Sequence, residues 1–546
     1  MSLAMSGMAG HDAAQGGCTP NPSTTIDMVK CCMQRSTVSV STEFAACNLS
    51  SHVCPPLPPA AVQRAVSLRS GDWPGRNSSA AAAMAHLAWT LRSAARPLRV
   101  AAIGGSVTAG HLGRSWLDYM RDDLFPKVWD SDSNSRGRVS FSKLATNAMG
   151  PAYMARCLPR HASSFGGTLP DLVIAEYAVT DLDAMSGREP AHMEELARTL
   201  SAHGVVLVLL HHFAPAFIVG GKPYFGHRST GEPAHEKLAE NWGLTSASLR
   251  NASGLPSAWA RANQAALRPC SFACAFSADN HHPTACGQRY LAQIATSALT
   301  RVLRAAADRS MALAVEGGSP AAPPQLAAPV HTKCWSVIGS TDAERNLLPS
   351  PAANASGWRL LNLKGHEHGM SNVMAAVYKL VFIAQAADAR IEFENITCSA
   401  DERLRVFHIA GETMQLGRAR VEIDGQPAVT TKGLDHMSGY WQSQGAIFVS
   451  TDFVIPTRKR MHTIAVVTLN ESDNPAARNA DQLTHRFGFA INALICVPPE
   501  PDNAVTTHAP HLDRRRRLSS DSISVKELER HIHTHRRRVG PKDRQE

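Results

Sequence analysis

The chain has 546 residues, of which 44% are apolar and 18% are charged, and its formal net charge is +9 at pH 7. This balance excludes a disordered or fibrous chain, and the length predicts two globular units with tails. No apolar run approaches the roughly 20 residues that a membrane-spanning helix needs, so we expect no membrane span.

Part of the positive charge lies in residues 501–546, which contain two runs of arginine. Such runs are typical of nucleic-acid-binding segments and of solvated tails. No aromatic residue that would stack on a base lies between these arginines. We therefore interpret 501–546 as a basic disordered tail and expect no nucleic-acid partner.

Cysteines and glycosylation sequons bear on the compartment of the protein. The chain has twelve cysteines, none in a Cys-x-x-Cys pair that would indicate a zinc ribbon. Six Asn-x-Ser/Thr sequons lie at Asn48, Asn77, Asn251, Asn354, Asn395 and Asn470. Together these features favour a secreted or endomembrane protein with disulfides. Residues 1–60, an irregular leader with several cysteines, lack a signal peptide, so either the true start lies upstream or the protein is not secreted.

A strand and a turn define the start of the first predicted domain. Alanine-rich stretches between Ala61 and Ala95 predict one or two helices outside a sheet. The apolar run Leu98 to Ile103 predicts a buried strand of a parallel sheet, and Gly104 and Gly105 allow a sharp turn after it. Ser106 is thereby placed at the carboxyl end of a strand, where open α/β sheets bind ligands.

Strands and helices then alternate along the chain. A helix with Trp116, Leu117, Met120 and Leu124 on one face is expected to stop at Pro126. Further strands are predicted at Arg138–Leu144, Leu172–Ala175 and Val205–Leu210. Further helices are predicted at His192–His203, Pro233–Asn241 and Ala258–Leu267, and a last one carries Leu291, Ile294, Ala298 and Val302 on one face. The alternation predicts a three-layer α/β/α domain, residues 61–308, built on a parallel sheet.

The composition changes after this domain. Residues 309–333 are rich in alanine and proline and are interpreted as a linker. Short alternating runs bounded by turn residues predict a β-sandwich-like second domain over 334–500, and Asp424-Gly425 is a hairpin signal. One pair among Cys334, Cys398 and Cys496 would staple this domain, with the connectivity left open.

A serine after two glycines is, by itself, typical of a structural turn. It is not the nucleophile elbow of α/β-hydrolases, because the Gly-x-Ser-x-Gly pattern needs glycine where Thr108 stands. The segment Asp279-Asn280-His281-His282-Pro283, before a helical stretch, supplies an acid and a base. These groups are the partners that a serine nucleophile needs.

With these two segments and DLVIAEYAVTD at Asp171–Asp181, the chain resembles the SGNH/GDSL hydrolase superfamily over about residues 97–304. The Gly-Gly-Ser-Val-Thr and Glu-Tyr-Ala-Val segments resemble its plant and algal branch. The resemblance implies a serine esterase with Ser106 as nucleophile, His282 as base and Asp279 as the group that orients the base. It implies neither a metal nor a cofactor.

Two histidines compete for the role of base. The Asp-x-x-His spacing and the following proline favour His282 over His281. Pro283 disfavours helical geometry at His282, so this pair is expected on a loop beside the strand ends.

The resemblance also implies an oxyanion hole made by the Ser106 backbone N–H, a glycine and an asparagine side chain. Gly150 is the candidate glycine, and Thr180 stands where the family has asparagine. A lost oxyanion donor costs about 2.7–4 kcal/mol of barrier. Three outcomes follow: a modified hole that uses Thr180, a slow enzyme, or loss of hydrolysis. A strand-end threonine without a catalytic role is an equally good interpretation of this residue.

Other polar clusters are assigned lesser roles. His366-Glu367-His368 and His531, His533 and His535 lack further ligand partners and are interpreted as exposed. Cys270, Cys274 and Cys286 flank the Asp-His segment as one loop disulfide or as buried thiols. Glu176 and Asp181 bracket the third family segment, and Asp181 is expected to cap or orient its loop.

These observations predict a serine esterase that acts on an acylated small molecule or carbohydrate, such as an O-acyl glycan. A lipid ester as substrate and acyl transfer to a sugar hydroxyl are variants of the same chemistry. The rival interpretation is a catalytically impaired hydrolase fold that binds glycans, and Thr180 is its main support.

Overall fold

The computed structural model describes residues 56–68, 78–93, 96–110, 113–129, 139–165, 167–212, 230–253, 282–315, 333–338, 346–349, 357–362, 380–384, 386–399, 401–410, 417–439, 447–456, 459–470 and 489–498. Most of the predicted leader, the helix Ala258–Leu267, Asp279, His281, Cys270, Cys274, both histidine clusters and the tail 501–546 lie outside these residues. Predictions about them stay predictions.

A mixed sheet forms the centre of the first domain. Its strands are β1 (Val66–Ser67), β2 (Leu98–Gly104), β3 (Val139–Ala145), β4 (Leu172–Glu176), β5 (Val206–His211) and β6 (Thr245–Ser248). Their order across the sheet is β1-β6-β5-β4-β2-β3, and every pair is parallel except β1 with β6. The chain adds β3 on one side of β2 and β4 on the other. The order in which the chain adds strands therefore reverses at β2. Open α/β sheets bind ligands at such a reversal of strand order.

Helices cover both faces of this sheet. They are α1 (Pro59–Ala65), α2 (Ser78–Ser93), α3 (Ser106–Ala109), α4 (Trp116–Tyr119), α5 (Phe125–Trp129), α6 (Pro151–Cys157), α7 (Leu182–Met185), α8 (Ala191–Ala202), α9 (Glu232–Trp242), α10 (Leu249–Ser253) and α11 (Ala285–Val315). Val100 and Ala102 of β2 pack with α2, α4 and α11, whereas Ala101 and Ile103 pack with α6 and α8. Successive strand residues point to opposite faces, so both faces of β2 are buried.

The helix that begins at Trp116 does not stop at Pro126, and that prediction is wrong. A π-helical turn spans Met120–Leu124, after which the helix continues as α5 to Trp129. In a regular helix the proline ring would clash with the carbonyl four residues earlier. The wider π turn, in which the Phe125 N–H donates to the Met120 carbonyl, relieves that clash and lets the helix pass the proline.

The last helix of the domain is longer than the composition suggests. Its predicted apolar face is fully buried: Leu291, Ile294, Ala298 and Val302 are 0% exposed. Helix α11 continues through Arg309, where the predicted linker starts, and ends at Val315. No glycine or proline occurs in the helix after Arg309, and the Gly317-Gly318 pair follows its end.

Two antiparallel sheets form a β-sandwich after this helix. Their strands are β7 (Cys334–Ser336), β8 (Trp358–Asn362), β9 (Leu380–Ala384), β10 (Arg390–Thr397), β11 (Arg403–Ala410), β12 (Arg418–Ile423), β13 (Gln426–Pro427), β14 (Met437–Ser438), β15 (Ile447–Val454), β16 (Met461–Thr468) and β17 (Phe489–Val497). One sheet has the order β10-β16-β12-β13 with β14 beside β12, and the other has the order β15-β11-β17-β9-β8 with β7 beside β17. The predicted α/β class with a second, β-sandwich domain is confirmed.

Turn and disulfide chemistry fix the sandwich locally. Asp424 and Gly425 both have positive φ, 53° and 77°, and join β12 to β13 as the predicted hairpin. Cys398 and Cys496 form the disulfide that staples the sandwich. Cys334 instead pairs with Cys157 of α6, so a second disulfide links the sandwich to the first domain.

Among the described residues, no helix combines the length and the apolar character that a bilayer crossing requires.

Candidate active site

Three neighbouring strands end at the same edge of the first sheet. β2 is hydrogen-bonded to β3 on one side and to β4 on the other, with Gly104 in register with Ala145 and Glu176. Because the strands are parallel, the segments that follow them leave the sheet side by side. Ser106, Gly150 and Thr180 lie on these three segments, so the sheet topology brings the sequence-predicted residues to one place.

Ser106 is held at the start of a short helix directly after β2. A Cβ on Gly104 would overlap Thr108 Oγ1 and would lie 2.7 Å from the Glu176 carbonyl oxygen, so only glycine fits there. Ser106 is the first residue of α3, and the first N–H groups of a helix have no partner within it. The residue is 7% exposed. Ser106 is therefore almost fully buried, and its backbone N–H is among the first N–H groups of α3, which lack a partner within the helix.

His282 lies against this serine. Its Nε2 is 2.8 Å from Ser106 Oγ, and 176 positions separate the two residues in the chain. His282 stands three residues before α11, outside helical geometry, as the following proline predicts. An imidazole at this distance can take the hydroxyl proton as the oxygen attacks.

A buried glutamine on α11 ties the histidine segment to the serine segment. Gln288 Nε2 donates to the Val107 carbonyl at 3.1 Å, and Gln288 Oε1 accepts the Trp116 N–H at 2.8 Å. These bonds join α11 to α3 and α4 within a few residues of His282 and Ser106. Sequence reasoning missed Gln288, because a buried glutamine amid a helix gives no periodic or motif signal.

The segments that follow β2, β3 and β4 lie close together at Gly105, Gly150 and Thr180. A Cβ on Gly105 would lie 3.1 Å from Thr180 Cγ2 and 3.8 Å from the Met149 carbonyl oxygen. A Cβ on Gly150 would lie 2.8 Å from the Thr180 carbonyl oxygen, closer than two such atoms can approach. The two glycines thus allow the loops after β3 and β4 to pack directly against the segment that carries Ser106.

Thr180 carries a buried hydroxyl next to the segment that contains Ser106. Thr180 Oγ1 is buried and has no hydrogen-bond partner among the described residues. Leaving a buried hydroxyl without a partner costs about 1–3 kcal/mol, so this hydroxyl is available to a ligand or to a water molecule. The geometry therefore places a spare donor in contact with the residue before Ser106.

A buried Asp-His pair holds the Thr180 loop. Asp181 caps α7 by accepting the Ala184 N–H at 3.3 Å, which confirms its predicted capping role. Its other oxygen lies 2.9 Å from His235 Nε2, and both side chains are almost fully buried. The Gly231 N–H, directly before α9, also donates to the Ala178 carbonyl at 2.6 Å, so the loop is held at two points. Sequence reasoning missed His235, because no motif or spacing connects this histidine with Asp181.

A neutral carboxyl group lies beneath the serine helix. Burial raises the pKa of Glu176 to about 8, against a smaller opposite effect of its hydrogen bond with Thr108. Thr108 Oγ1 donates to Glu176 Oε2 at 3.3 Å and accepts the Trp116 indole N–H at 3.2 Å. Glu176 Oε1 has no hydrogen-bond partner among the described residues. This chain of bonds supports α3 from inside the domain.

One group of candidate metal ligands occurs in the described part of the chain, Cys398, Glu402 and Cys496. The two cysteines share a disulfide, so neither offers a thiolate to a metal. Cys286 is disulfide-bonded as well.

Of the comparisons with known proteins, only the one with solved structures finds similar chains. No family model matches the chain, and no curated protein matches it. A two-domain esterase (CEX) active on acetylated mannans, co-crystallized with mannopentaose, aligns with a TM-score of 0.41 and 13% identity over 75% of this chain and 94% of that chain. The CBM36-1 domain of a xylanase from the hindgut metagenome of Trinervitermes trinervoides aligns over 26% of this chain and 88% of that chain with a TM-score of 0.16 and 11% identity. A family 35 carbohydrate binding module from Clostridium thermocellum aligns over 26% and 89% with a TM-score of 0.16 and 10% identity.

The buried carboxyl makes a prediction about stability and pH. Glu176 stays protonated in the folded protein up to about pH 8, whereas its ordinary pKa is 4.5. Between these values the folded state holds a proton that the unfolded chain has lost, so the free energy of unfolding falls as the pH rises. Glu176→Gln removes this pH dependence of stability. The free energy of unfolding of the variant, relative to that of the wild type, should therefore increase as the pH rises, by up to about 1.4 kcal/mol per pH unit.

Urea unfolding of both proteins at pH 5.5 and pH 8 measures this difference. Glu194→Gln, at a partly exposed position on α8 where the carboxylate pairs with Arg198, is the matched control and should follow the pH dependence of the wild type. Equal pH dependence of wild type and Glu176→Gln would refute the burial of a protonated carboxyl at this position.

Proposed function

We propose that the protein is a serine esterase of the SGNH/GDSL type, which hydrolyses an ester through an acyl-serine intermediate. The observation that carries this proposal is the 2.8 Å hydrogen bond between Ser106 Oγ and His282 Nε2. The family resemblance supports it, because it assigns the roles of nucleophile and base to the same two residues, Ser106 and His282. Asp279, which lies outside the described residues, is assigned the role of orienting His282.

In the first step the Ser106 oxygen attacks the ester carbonyl while His282 Nε2 accepts the hydroxyl proton. The carbonyl oxygen gains negative charge in the tetrahedral intermediate. The proposed donors to it are the backbone N–H groups of Ser106 and Gly150 and the Thr180 hydroxyl. As the intermediate collapses, the bond to the leaving alcohol breaks, and His282 gives its proton to that oxygen.

In the second step a water molecule attacks the acyl-serine. His282 accepts a proton from the water, the same donors stabilise the second oxyanion, and the bond between the acyl carbon and Ser106 Oγ breaks. The acid leaves, and the proton returns to the Ser106 oxygen. If a sugar hydroxyl replaces the water, the same residues perform acyl transfer.

The proposed substrate is an O-acyl carbohydrate. Its support is the resemblance of the Gly-Gly-Ser-Val-Thr and Glu-Tyr-Ala-Val segments to the plant and algal branch of the superfamily. Lipid esters serve as the alternative class in substrate screening.

The proposed compartment is the secretory route. Two disulfides, Cys157–Cys334 and Cys398–Cys496, join described cysteines, and such bonds persist in oxidising compartments. Two of the sequon asparagines, Asn395 and Asn470, are exposed. Both features suit a glycosylated, disulfide-bonded protein.

A second candidate function is binding of glycans without catalysis. Thr180 favours it, because the family's asparagine is absent there. The two functions differ in the reactivity of the serine. A fluorophosphonate probe forms a covalent bond only with an activated hydroxyl, so labelling of Ser106 in the folded protein supports the esterase, and its absence supports the binding protein.

The proposal predicts that Ser106→Ala abolishes hydrolysis of a short-chain aryl ester. Removal of the nucleophile should lower kcat by at least about 10³-fold, to the level that binding and the oxyanion donors alone supply. Ser115→Ala, which alters the buried serine that caps the start of α4, is the control and should retain kcat. Activity equal in Ser106→Ala and wild type, well above background, would remove Ser106 from the mechanism.

Thr180 yields a second prediction. Thr180→Val keeps the shape of the side chain but removes its hydroxyl, so kcat should fall by about 10²–10³-fold with little change in KM. Thr180→Asn restores the family's donor and should retain or raise kcat. Steady-state kinetics of both variants separate the two interpretations of this residue, because an unchanged kcat in Thr180→Val would show that the hydroxyl does not stabilise the oxyanion.

A further inference from the structure

One sheet of the β-sandwich is buried on both faces. On its strand β11, Leu404 and Val406 pack in the core between the two sheets, whereas Phe407 and Ile409 pack in a cluster with residues of α6 and α8. Antiparallel sheets commonly leave one face to solvent. Here the α/β domain covers that face, so the sandwich is a further layer of the same unit.

Several contacts between the two domains lie on the segment 148–157, which contains Gly150 and helix α6. At its start, the Ala148 carbonyl accepts the Phe448 N–H at 3.1 Å. Phe448 lies on β15, the outer strand of its sheet. An outer strand has unpaired N–H groups, and this one is used to hold the segment that precedes Gly150.

The backbone at Ala148 needs such a constraint. Its φ is 56°, a left-handed conformation that costs a residue with a Cβ about 1–2 kcal/mol. Strained conformations persist where the surroundings fix them. The hydrogen bond from Phe448 fixes the Ala148 carbonyl, two residues before Gly150.

Two more links hold the helix that follows Gly150. The Tyr153 hydroxyl donates to Ser336 Oγ at 3.0 Å, and its ring packs edge-on against Phe407 with 6.0 Å between ring centroids. At the end of α6, Cys157 forms the disulfide with Cys334, with 5.6 Å between their Cα atoms. The three partners on the sandwich side lie on β7 (Cys334 and Ser336) and β11 (Phe407).

We propose that the β-sandwich positions the oxyanion-hole glycine: Phe448, Ser336 and Cys334 hold the segment 148–157 so that the Gly150 N–H faces the site of Ser106. This inference rests on the proposed esterase function. Phe448 and Cys334 are positioning residues, because they act through Ala148 and Cys157 and touch no reacting atom. The sandwich is then required for kcat even when the substrate has no glycan part.

The first test compares Phe448→Ala with Phe448→Pro in the full chain. Both variants lose the aromatic side chain, but only proline loses the N–H that binds Ala148. Proline is tolerated on an outer strand where its N–H position faces away from the sheet. With a short-chain aryl ester, kcat of the proline variant should be about 10- to 10²-fold below that of the alanine variant, with KM within about twofold. Equal kcat values would overturn the inference.

The second test uses two disulfides as a matched pair. Cys157→Ser/Cys334→Ser removes the link to α6, whereas Cys398→Ser/Cys496→Ser removes a bond inside the sandwich with a similar Cα separation of 5.5 Å. Both double variants should unfold at a lower temperature. Only the first should also lose kcat, by at least about fivefold with KM retained. Full kcat in a folded Cys157→Ser/Cys334→Ser protein would show that this link is merely structural and would contradict the inference.

If the proline variant does not fold, the disulfide comparison decides by itself. The two levels of the proposal fail differently. Wild-type activity that does not depend on Ser106 refutes the esterase assignment, whereas Ser106-dependent activity that is unchanged in all these variants refutes the positioning role alone.

Discussion

The hydrogen bond between Ser106 and His282 joins two segments that are 176 positions apart, and the rest of the α/β domain keeps those segments together. The entropic cost of closing a loop grows only with the logarithm of its length, so even a long loop is closed at a moderate additional cost. The greater requirement is geometric. The buried face of α11 and the two hydrogen bonds of Gln288 supply it, since they hold the start of α11 against α3 and α4.

The groups around the serine are also held in place by the sheet and by buried contacts. Gly105, Gly150 and Thr180 approach within van der Waals distance because they follow adjacent parallel strands and because two of them have no side chain. Buried polar groups also hold these segments. Asp181 with His235 holds the Thr180 loop, and Glu176 with Thr108 supports the helix that begins at Ser106. Each polar contact is buried, so each is strengthened by the low dielectric of the interior.

Much of this arrangement could be predicted from the sequence, because apolar runs and turn residues are local signals. The strands around Ser106, the buried face of α11 and the Asp424-Gly425 hairpin are examples. Ser106 and His282 stood out through a motif. Contacts that depend on packing gave no such signal. A π turn that carries a helix past Pro126 and the amide bonds of Gln288 are decided by neighbours that are distant in sequence.

The second domain shows the same limit at a larger scale. The short alternating runs of this domain predict strands with two different faces, but they do not say that both faces of a sheet are covered. The pairing of Cys334 with Cys157, and of Cys398 with Cys496, likewise follows from the packing of the layers and not from the spacing of cysteines. A composition that indicates a separate accessory domain is thus compatible with a sandwich that packs as a layer on the α/β domain.

A crystal structure of the protein after inactivation by a fluorophosphonate is the most direct measurement of the central claim. The account predicts a covalent bond between phosphorus and Ser106 Oγ. It also predicts that the phosphoryl oxygen lies about 2.7–3.1 Å from the Gly150 nitrogen and from Thr180 Oγ1. An adduct at another residue, or a phosphoryl oxygen turned away from both donors, would contradict it.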